Sequence, residues 1–198
     1  MISNCSPTRS TTTCWTRNPS TNRAICSSRT RFFRAFFYFE KVKRFGDVPW
    51  YDIQLGSADE LLYKPRDSRE LILTKMLEDI DYAINSGGLT ESAADPYHVN
   101  KWAALALKAQ FCLYEGTYRK YHNLNLDGHD ANFYLDLAAK AALEIIEKGP
   151  YKLYQTGHPE KDYLTLFAQK DASPEEYILA IKFDYAIGAR PNASAYTL

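Results

Sequence analysis

Apolar residues recur every three or four positions along most of the chain, which is the spacing of helices with one buried face. From Asp67 to Ile84, for example, Leu73, Leu77 and Ile80 form such a row. The predicted helices cover about residues 30–45, 68–85, 100–118 and 132–148, with a short one at about 163–167. The pattern therefore predicts a mainly α-helical protein.

The ends of these helices carry recognisable stop and start signals. Gly46 can adopt the left-handed conformation that closes a helix, and Pro49 prevents continuation. Asp67 followed by Glu70 resembles a capping box at the start of the second helix. Asn100 is the predicted N-cap of the third helix.

The first predicted helix is unusually aromatic. Its phenylalanines occupy neighbouring faces of about two turns, so we expect several other helices to bury it on all sides. These phenylalanines are Phe32, Phe33, Phe36, Phe37 and Phe39. The side chains expected inside the whole bundle are Phe36, Leu77, Ile80, Leu105 and Ile145.

Helix starts recur at intervals of roughly 30 residues, close to the period of tetratricopeptide repeats. The order of Trp102, Gly116, Ala138 and Pro150 also follows the helix pair of that repeat. An ordinary antiparallel pair with an Ala-rich contact face is the alternative. The segment from Glu175 to Tyr185 is rich in β-branched and aromatic residues, which favours a strand. The expected fold is thus a tetratricopeptide-like α/α superhelix fragment with a short strand near the C-terminus.

Charge and composition divide the chain into two parts. Its 24 basic and 24 acidic residues cancel, which gives no reason to expect a nucleic acid as partner. Residues 1–29, however, contain Arg but no Asp or Glu and are rich in Ser and Thr. We expect them to form a disordered or non-native tail, for which a shifted reading frame is the simplest origin and natural disorder the alternative. Residues 30–198 would then form one partial helical domain.

Several ordered blocks of this sequence resemble the SusD/RagB family. The first is "RAFFYF" with "FGDVP", between Arg34 and Pro49, and a second is "VNKWAALALKAQFCLYEGTYRKYH" from Val99 to His122. Others are "ADELLYKPRDSRELILTKMLEDIDYAI", "KGPYKLY" and "PEEYILAIKFD". The resemblance implies a tetratricopeptide-like fold in a protein about two to three times longer, so that this chain would be truncated at both ends.

The same resemblance implies a function. Members of the family are surface lipoproteins of the outer membrane that capture glycans or other nutrients for a SusC-like TonB-dependent transporter. An oligosaccharide ligand of the full-length protein and a SusC-like partner are therefore expected, without catalysis and without a cofactor. A cytoplasmic tetratricopeptide-like adaptor that binds a peptide in its concave groove is the alternative hypothesis.

Exposed aromatic rings are the candidates for a sugar site, because flat rings stack on the apolar faces of pyranoses. Trp50 and Tyr51 follow the Pro49 turn, and Tyr118 and Tyr121 lie beside Arg119. Since the chain has 15 tyrosines, each candidate ring is more often a half-buried rim residue than a sugar platform. No family residue for sugar binding can be transferred to a matching motif.

No motif predicts a catalytic or metal site. Glu78, Asp79 and Asp81 are expected on a solvated helix face, and Cys112 in an apolar helix is expected to be a buried, inert thiol. The sequence between Asn123 and Gly128 matches the first half of a calcium loop, but Tyr134 replaces the bidentate Glu of the last position. A polar loop between helices is therefore the favoured interpretation.

Overall fold

A computed structural model describes residues 19–126, 129–183, 186 and 188 of the chain, and its described part is mainly α-helical. Five α-helices follow one another in the described part of the chain, with a 3₁₀ turn at Glu60–Tyr63 between the first two. The helices are α1 (Pro19–Phe45), α2 (Arg69–Asn85), α3 (Lys101–His122), α4 (Ala131–Lys148) and α5 (Pro159–Phe167). The predicted helices over 68–85, 100–118 and 132–148 are thus confirmed.

Each of the three central helices begins at a polar cap. Ser68 Oγ accepts a hydrogen bond from the Leu71 N–H at the start of α2. Asn100 caps α3 as predicted, since its Oδ1 accepts from the Ala103 N–H at 2.8 Å. Asp130 does the same for α4. These side chains satisfy backbone donors that have no partner inside the helix.

The predicted capping role of Asp67 is wrong. Its Oδ2 instead accepts from the Trp50 N–H at 2.6 Å and from Lys64 Nζ at 2.7 Å. Val48 also forms an isolated antiparallel bridge with Asp67. The residue therefore ties the turn after α1 to the start of α2, and the neighbouring Ser68 caps the helix.

The helices pair in sequence order, α1 with α2 and α3 with α4. Both pairs are antiparallel. In the first, Ser28 near the start of α1 bonds Ser86 just after the end of α2. In the second, Gly116 near the end of α3 contacts Ala131 and Leu135 at the start of α4. A Cβ at Gly116 would lie 2.7 Å from Leu135 Cγ, so glycine is what allows the two helices to approach so closely.

One main core joins α1, α2, α3 and the start of α4. Its most enclosed members include Ala35, Ile72, Met76, Ile80, Phe111 and Tyr134. A smaller cluster of Trp102, Leu105 and Ala141 lies between α3 and α4. Ile80 and Leu105 are buried as predicted, whereas Leu77 and Ile145 are half-buried.

The expectation for α1 is wrong in two respects. The helix begins at Pro19 and not near residue 30, and Ser28 in this earlier part is fully buried. Residues 1–18 of the predicted tail lie outside the described residues. Phe36 was expected inside but is 46% exposed, because the inward face of α1 is formed by Phe32, Ala35 and Phe39.

Charged residues take part in the contact between α1 and α2. The Arg34 guanidinium donates to both oxygens of Asp79, at 2.6 and 2.7 Å. This hydrogen bond, together with the charge of Asp79, raises the pKa of Arg34, although partial burial opposes the shift. The expectation that Asp79 lies on a solvated face with Glu78 and Asp81 is therefore wrong, since Asp79 is buried.

The strand expected over Glu175 to Tyr185 is not formed in its described part, up to Phe183. That segment is irregular, and its backbone bonds run singly, from the Ala180 N–H to the Pro96 carbonyl and from the Lys152 N–H to the Glu175 carbonyl. A strand needs a neighbouring strand to pair with. The described residues supply only isolated bridges elsewhere, so β propensity alone does not create one here.

Among the described residues, none of the helices has the length and apolar character needed to cross a membrane.

Candidate functional site

The last turns of α3 carry a ladder of rings. Tyr114 and Tyr118 stack with centroids 6.2 Å apart and planes 18° from parallel, and Tyr118 lies 4.3 Å from the His122 ring. The four-residue spacing places these side chains on one helix face. Tyr121, on an adjacent face, is 82% exposed and offers a free ring to solvent.

A cation lies against this ladder. The Arg69 guanidinium is 4.1 Å from the centre of the Tyr118 ring, within the range of a cation–π contact. Its Nη2 is also 2.5 Å from Glu115 Oε2, and its Nε donates to the same carboxylate. Arg69 thus fixes the orientation of Tyr118 and connects it to the start of α2.

Beneath the ladder lies a buried cluster of ion pairs. Glu115 accepts from Arg119 Nε at 2.8 Å in addition to Arg69, and Arg119 also donates to Glu70. His129 Nδ1 is 2.6 Å from the other oxygen of Glu70. The positive charges of two arginines and the negative charges of two glutamates therefore balance in the interior.

Burial and ion pairing shift the pKa values of Arg69 and Arg119 in opposite directions. Burial lowers the pKa of Arg69, but the hydrogen bond and charge of Glu115 outweigh it and the net shift is upward. The same holds for Arg119, where Glu70 and Glu115 oppose the effect of burial. Both side chains remain charged, so the cluster is a fixed electrostatic element below the tyrosines.

The second pair of candidate residues lies in the turn after α1. Trp50 is only 7% exposed, and its ring contacts Tyr38 at 4.3 Å between centroids and the Arg34 guanidinium at 4.9 Å. Its enclosed ring therefore does not offer a free face to a sugar. Tyr51 is half-buried, and its hydroxyl donates to the Leu61 carbonyl at 2.9 Å.

The two pairs of candidate residues contact different residues at the start of α2. The Trp50 N–H bonds Asp67, while Tyr118 contacts Arg69, two residues further on. The described contacts connect both to the start of α2 without joining the four rings into one cluster. The sequence did not predict the role of Arg69; the only signal was the four-residue spacing of Glu115 and Arg119, which is also typical of an exposed pair.

Cys112 is buried in α3, as the sequence predicts. Burial raises the pKa of the Cys112 thiol to about 12, so that the thiol is protonated at neutral pH. Within the described ranges, no group of three or more His, Cys, Asp or Glu side chains could hold a metal ion. Asn123 ends α3 in the left-handed conformation, while Asp127 and Gly128 of the partial calcium pattern lie outside the described residues.

Comparison with known proteins identifies the fold. No protein-family model matches the chain, and no curated protein matches it significantly. Among solved structures, a SusD-like protein from Bacteroides fragilis is similar with a TM-score of 0.62 and 26% identity, over 85% of this chain and 29% of that one. A structure solved with a xylogluco-oligosaccharide is similar with a TM-score of 0.60 and 21% identity, over 84% of this chain and 31% of that one. The chain thus spans about a third of the length of its solved neighbours, and it has a SusD-like fold.

Proposed function

We propose that this chain is the helical part of a SusD-like protein that binds glycans without transforming them. The observation that carries the proposal is the match to a SusD-like protein over 85% of the chain. A second neighbour of the same fold was solved with a xylogluco-oligosaccharide, which makes a plant-type glycan a reasonable first ligand to test.

The proposal extends to the setting of the protein. Its resemblance to the SusD/RagB family supports a surface lipoprotein of the outer membrane that works with a SusC-like, TonB-dependent transporter in nutrient uptake. The blocks of sequence from Arg34 to Asp184 support this assignment, and so does the SusD-like fold. We expect neither a cofactor nor a nucleic acid to take part.

Within this chain, the end of α3 is the best candidate for contact with a sugar. The exposed Tyr121 ring can stack on a pyranose, and Tyr118 is held beside it by Arg69. Tyr51 is a second candidate, with Lys64 Nζ 4.9 Å from its ring centre. Trp50 is the weaker candidate of this turn, because its own ring is covered by Tyr38 and Arg34.

These rings alone would bind a glycan weakly. The chain matches only 29% and 31% of its solved neighbours, so most of a complete ligand site would lie in other segments. A stacked ring contributes about 1 kcal/mol, which corresponds to about fivefold in affinity. We therefore expect tight binding only from a longer version of the protein.

Isothermal titration can test the site. The protein would be extended in its genomic reading frame to the length of the matched structures and titrated with a panel of xyloglucan, starch-type and host oligosaccharides. Tyr121→Ala is expected to weaken binding of the recognised glycan about fivefold, because its exposed stacking ring is lost. Tyr118→Ala should weaken binding less, because the Tyr118 ring is already packed against Arg69 and His122.

Tyr163→Ala is the matched control, since Tyr163 is similarly exposed but lies on α5. It should leave the affinity unchanged. If the α3 variants behave like this control while the protein still binds a glycan, the site lies elsewhere in the SusD-like protein. If no glycan binds at all, the proposed function itself is refuted.

A further inference from the structure

The side chain of His129 is held in one orientation at the junction of α3 and α4. Its Nδ1 lies 2.6 Å from Glu70 Oε1, and its ring stacks on Phe133 with centroids 4.3 Å apart and planes 17° from parallel. Its backbone carbonyl accepts from Arg119, and its N–H donates to the Leu126 carbonyl at 2.9 Å. Contacts on the ring and on the main chain therefore fix the imidazole before any ligand arrives.

The bond to Glu70 determines which ring nitrogen of His129 remains available. A carboxylate oxygen accepts hydrogen bonds, so in the neutral imidazole the proton lies on Nδ1 and is donated to Glu70. Arg119 donates to the other oxygen of Glu70, which holds the carboxylate in place. The second nitrogen, Nε2, then carries a lone pair and can accept a hydrogen bond.

Nε2 lies on the side of the ring that solvent reaches. The His129 side chain is 35% exposed, whereas the Glu70 side chain at the Nδ1 edge is only 8% exposed. Among the described residues, Nε2 has no hydrogen-bond partner. A fixed and accessible acceptor loses little conformational freedom when a ligand bonds it, which is the property of a preorganised binding group.

The surroundings of Nε2 suit a sugar. Phe133 is 37% exposed and places an apolar ring beside the acceptor. The charges of Glu70 and Arg119 beneath it are paired with each other, and Asp130 is engaged as the N-cap of α4. Sugars present the two groups that such a place recognises, a hydroxyl that donates and an apolar ring face.

The turn between α3 and α4 brings His129 close to the ring ladder of α3. Arg119, which bonds the His129 carbonyl, follows Tyr118 directly in the helix. His129 therefore lies at the end of α3 that carries the exposed Tyr121 ring. The tyrosines can supply stacking, and His129 can supply a directional hydrogen bond.

We propose that His129 binds a glycan hydroxyl through Nε2 and that Glu70 acts as its positioning residue. The hydroxyl donates its hydrogen to Nε2, while the Phe133 ring contacts the adjacent apolar face of the sugar. This inference rests on the proposed glycan-binding function and deepens it, because it assigns a residue that recognises a hydroxyl. The ligand class is a neutral oligosaccharide with free hydroxyls.

Two replacements of His129 separate contact with the ligand from support of the turn. The amide of Asn lies near the position of Nδ1, so His129→Asn keeps a bond to Glu70 and removes Nε2. The amide of Gln reaches the position of Nε2 but loses the bond to Glu70. In urea unfolding of the 198-residue chain, His129→Asn should keep the midpoint, whereas His129→Gln should lower it.

The affinities for glycan should follow the opposite order. Isothermal titration uses the protein extended to the length of the matched structures and the glycan that it recognises. His129→Asn should bind this glycan about fivefold more weakly, because one hydrogen bond is lost. His129→Gln should bind more tightly than His129→Asn, because its amide can still bond the hydroxyl.

His158→Asn is the matched control. His158 also has a glutamate partner, with Nδ1 3.7 Å from Glu160 Oε1, but its side chain is 72% exposed and precedes α5. The change should leave both the affinity and the unfolding midpoint unaltered.

The two variants of His129 can also refute the inference. If His129→Asn binds as tightly as the unaltered protein, or if the affinities fall in step with the unfolding midpoints, His129 only supports the turn. The inference is then overturned, and glycan binding stands. If the unaltered extended protein binds no glycan, the proposed function is refuted together with the inference.

Nitrogen NMR of the extended protein, labelled with ¹⁵N in its histidines, observes the bond itself. The His129 resonances are assigned from their loss in His129→Asn. Saturation with the glycan should shift the Nε2 resonance of His129 and leave the ring resonances of His158 in place. A glycan that binds without moving the Nε2 resonance would overturn the inference.

Discussion

The inner face of α2 and the outer face of α1 are similarly apolar in sequence but have opposite environments. Ile72, Met76 and Ile80 of α2 are fully enclosed. Phe33, Phe36 and Phe37 of α1 lie about half in solvent, although phenylalanine is the larger side chain. Apolar character therefore indicates which surfaces are suited to burial, while the neighbouring elements decide which ones are buried within this chain.

A second contrast concerns charge. Polar residues of α3 that look suited to the surface, Glu115 and Arg119, are buried, while the phenylalanines of α1 are exposed. The buried charges are tolerated because each has hydrogen-bonded partners of opposite sign.

The largest effect is expected for Glu115→Ala. This change leaves Arg69 and Arg119 in the interior without the carboxylate that both bond, and breaking a buried pair in this way costs about 3–5 kcal/mol. Urea unfolding of both proteins at neutral pH measures the difference.

Glu78→Ala is the control for this variant, because Glu78 pairs with Lys75 at an exposed position of α2. Its effect should stay within about 0.5 kcal/mol. A similar loss of unfolding free energy in both variants would mean that the ion pairs of Glu115 with Arg69 and Arg119 are not buried.

The second prediction compares the inner face of α2 with the outer face of α1. Ile80→Ala should lower the free energy of unfolding by about 2–5 kcal/mol, since Ile80 is fully buried and its loss leaves a cavity. Phe36→Ala should cost only about 1 kcal/mol or less, because half of that side chain already contacts solvent. Denaturant unfolding measures both, and equal losses would contradict the placement of Phe36 on the outer face.

A smaller effect is expected at the turn between α1 and α2. Hydrogen bonds from Lys64 and from the Trp50 N–H lower the pKa of Asp67 below its ordinary value of 3.8. A lowered pKa in the folded state stabilises the fold at pH values above 3.8, and the stabilisation is lost as the pH falls through the lowered value.

The difference in unfolding free energy between the unaltered protein and Asp67→Asn should therefore be constant from about pH 5 to 7 and shrink below about pH 4. Asp136→Asn, at an exposed position of α4, serves as the control. An unchanged Asp67 difference at about pH 3 would show that its bonds to Lys64 and Trp50 do not stabilise the fold.

Sequence reasoning succeeded where a helix has one apolar face and clear ends. The single row of α2 gave the correct phase for Ile80, and Asn100 gave the correct start of α3. It failed on α1 for two reasons. Aromatic residues on several faces of a helix do not indicate which face is buried. Arg34 would also be assigned to the surface from sequence alone, because its partner Asp79 on α2 is known only from the structure.

The candidate site was less predictable than the fold. The same argument, that flat rings stack on sugars, selected both Trp50 and Tyr121, although the Trp50 ring is enclosed and the Tyr121 ring is exposed. What separates them is the packing of Tyr38 and Arg34 onto Trp50, which depends on contacts across the turn after α1. The strand prediction failed for a similar reason, since β propensity carries no information on whether a partner strand is present.

The central claim is that a SusD-like body of this kind binds a glycan and leaves it intact. Equilibrium dialysis of the extended protein with a labelled xylogluco-oligosaccharide, followed by mass analysis of the sugar, tests it most directly. The account predicts saturable binding by the extended protein, much weaker binding by the 198-residue chain, and recovery of the unaltered oligosaccharide. Cleavage of the sugar, or the absence of binding to this and every other glycan of the panel, would contradict it.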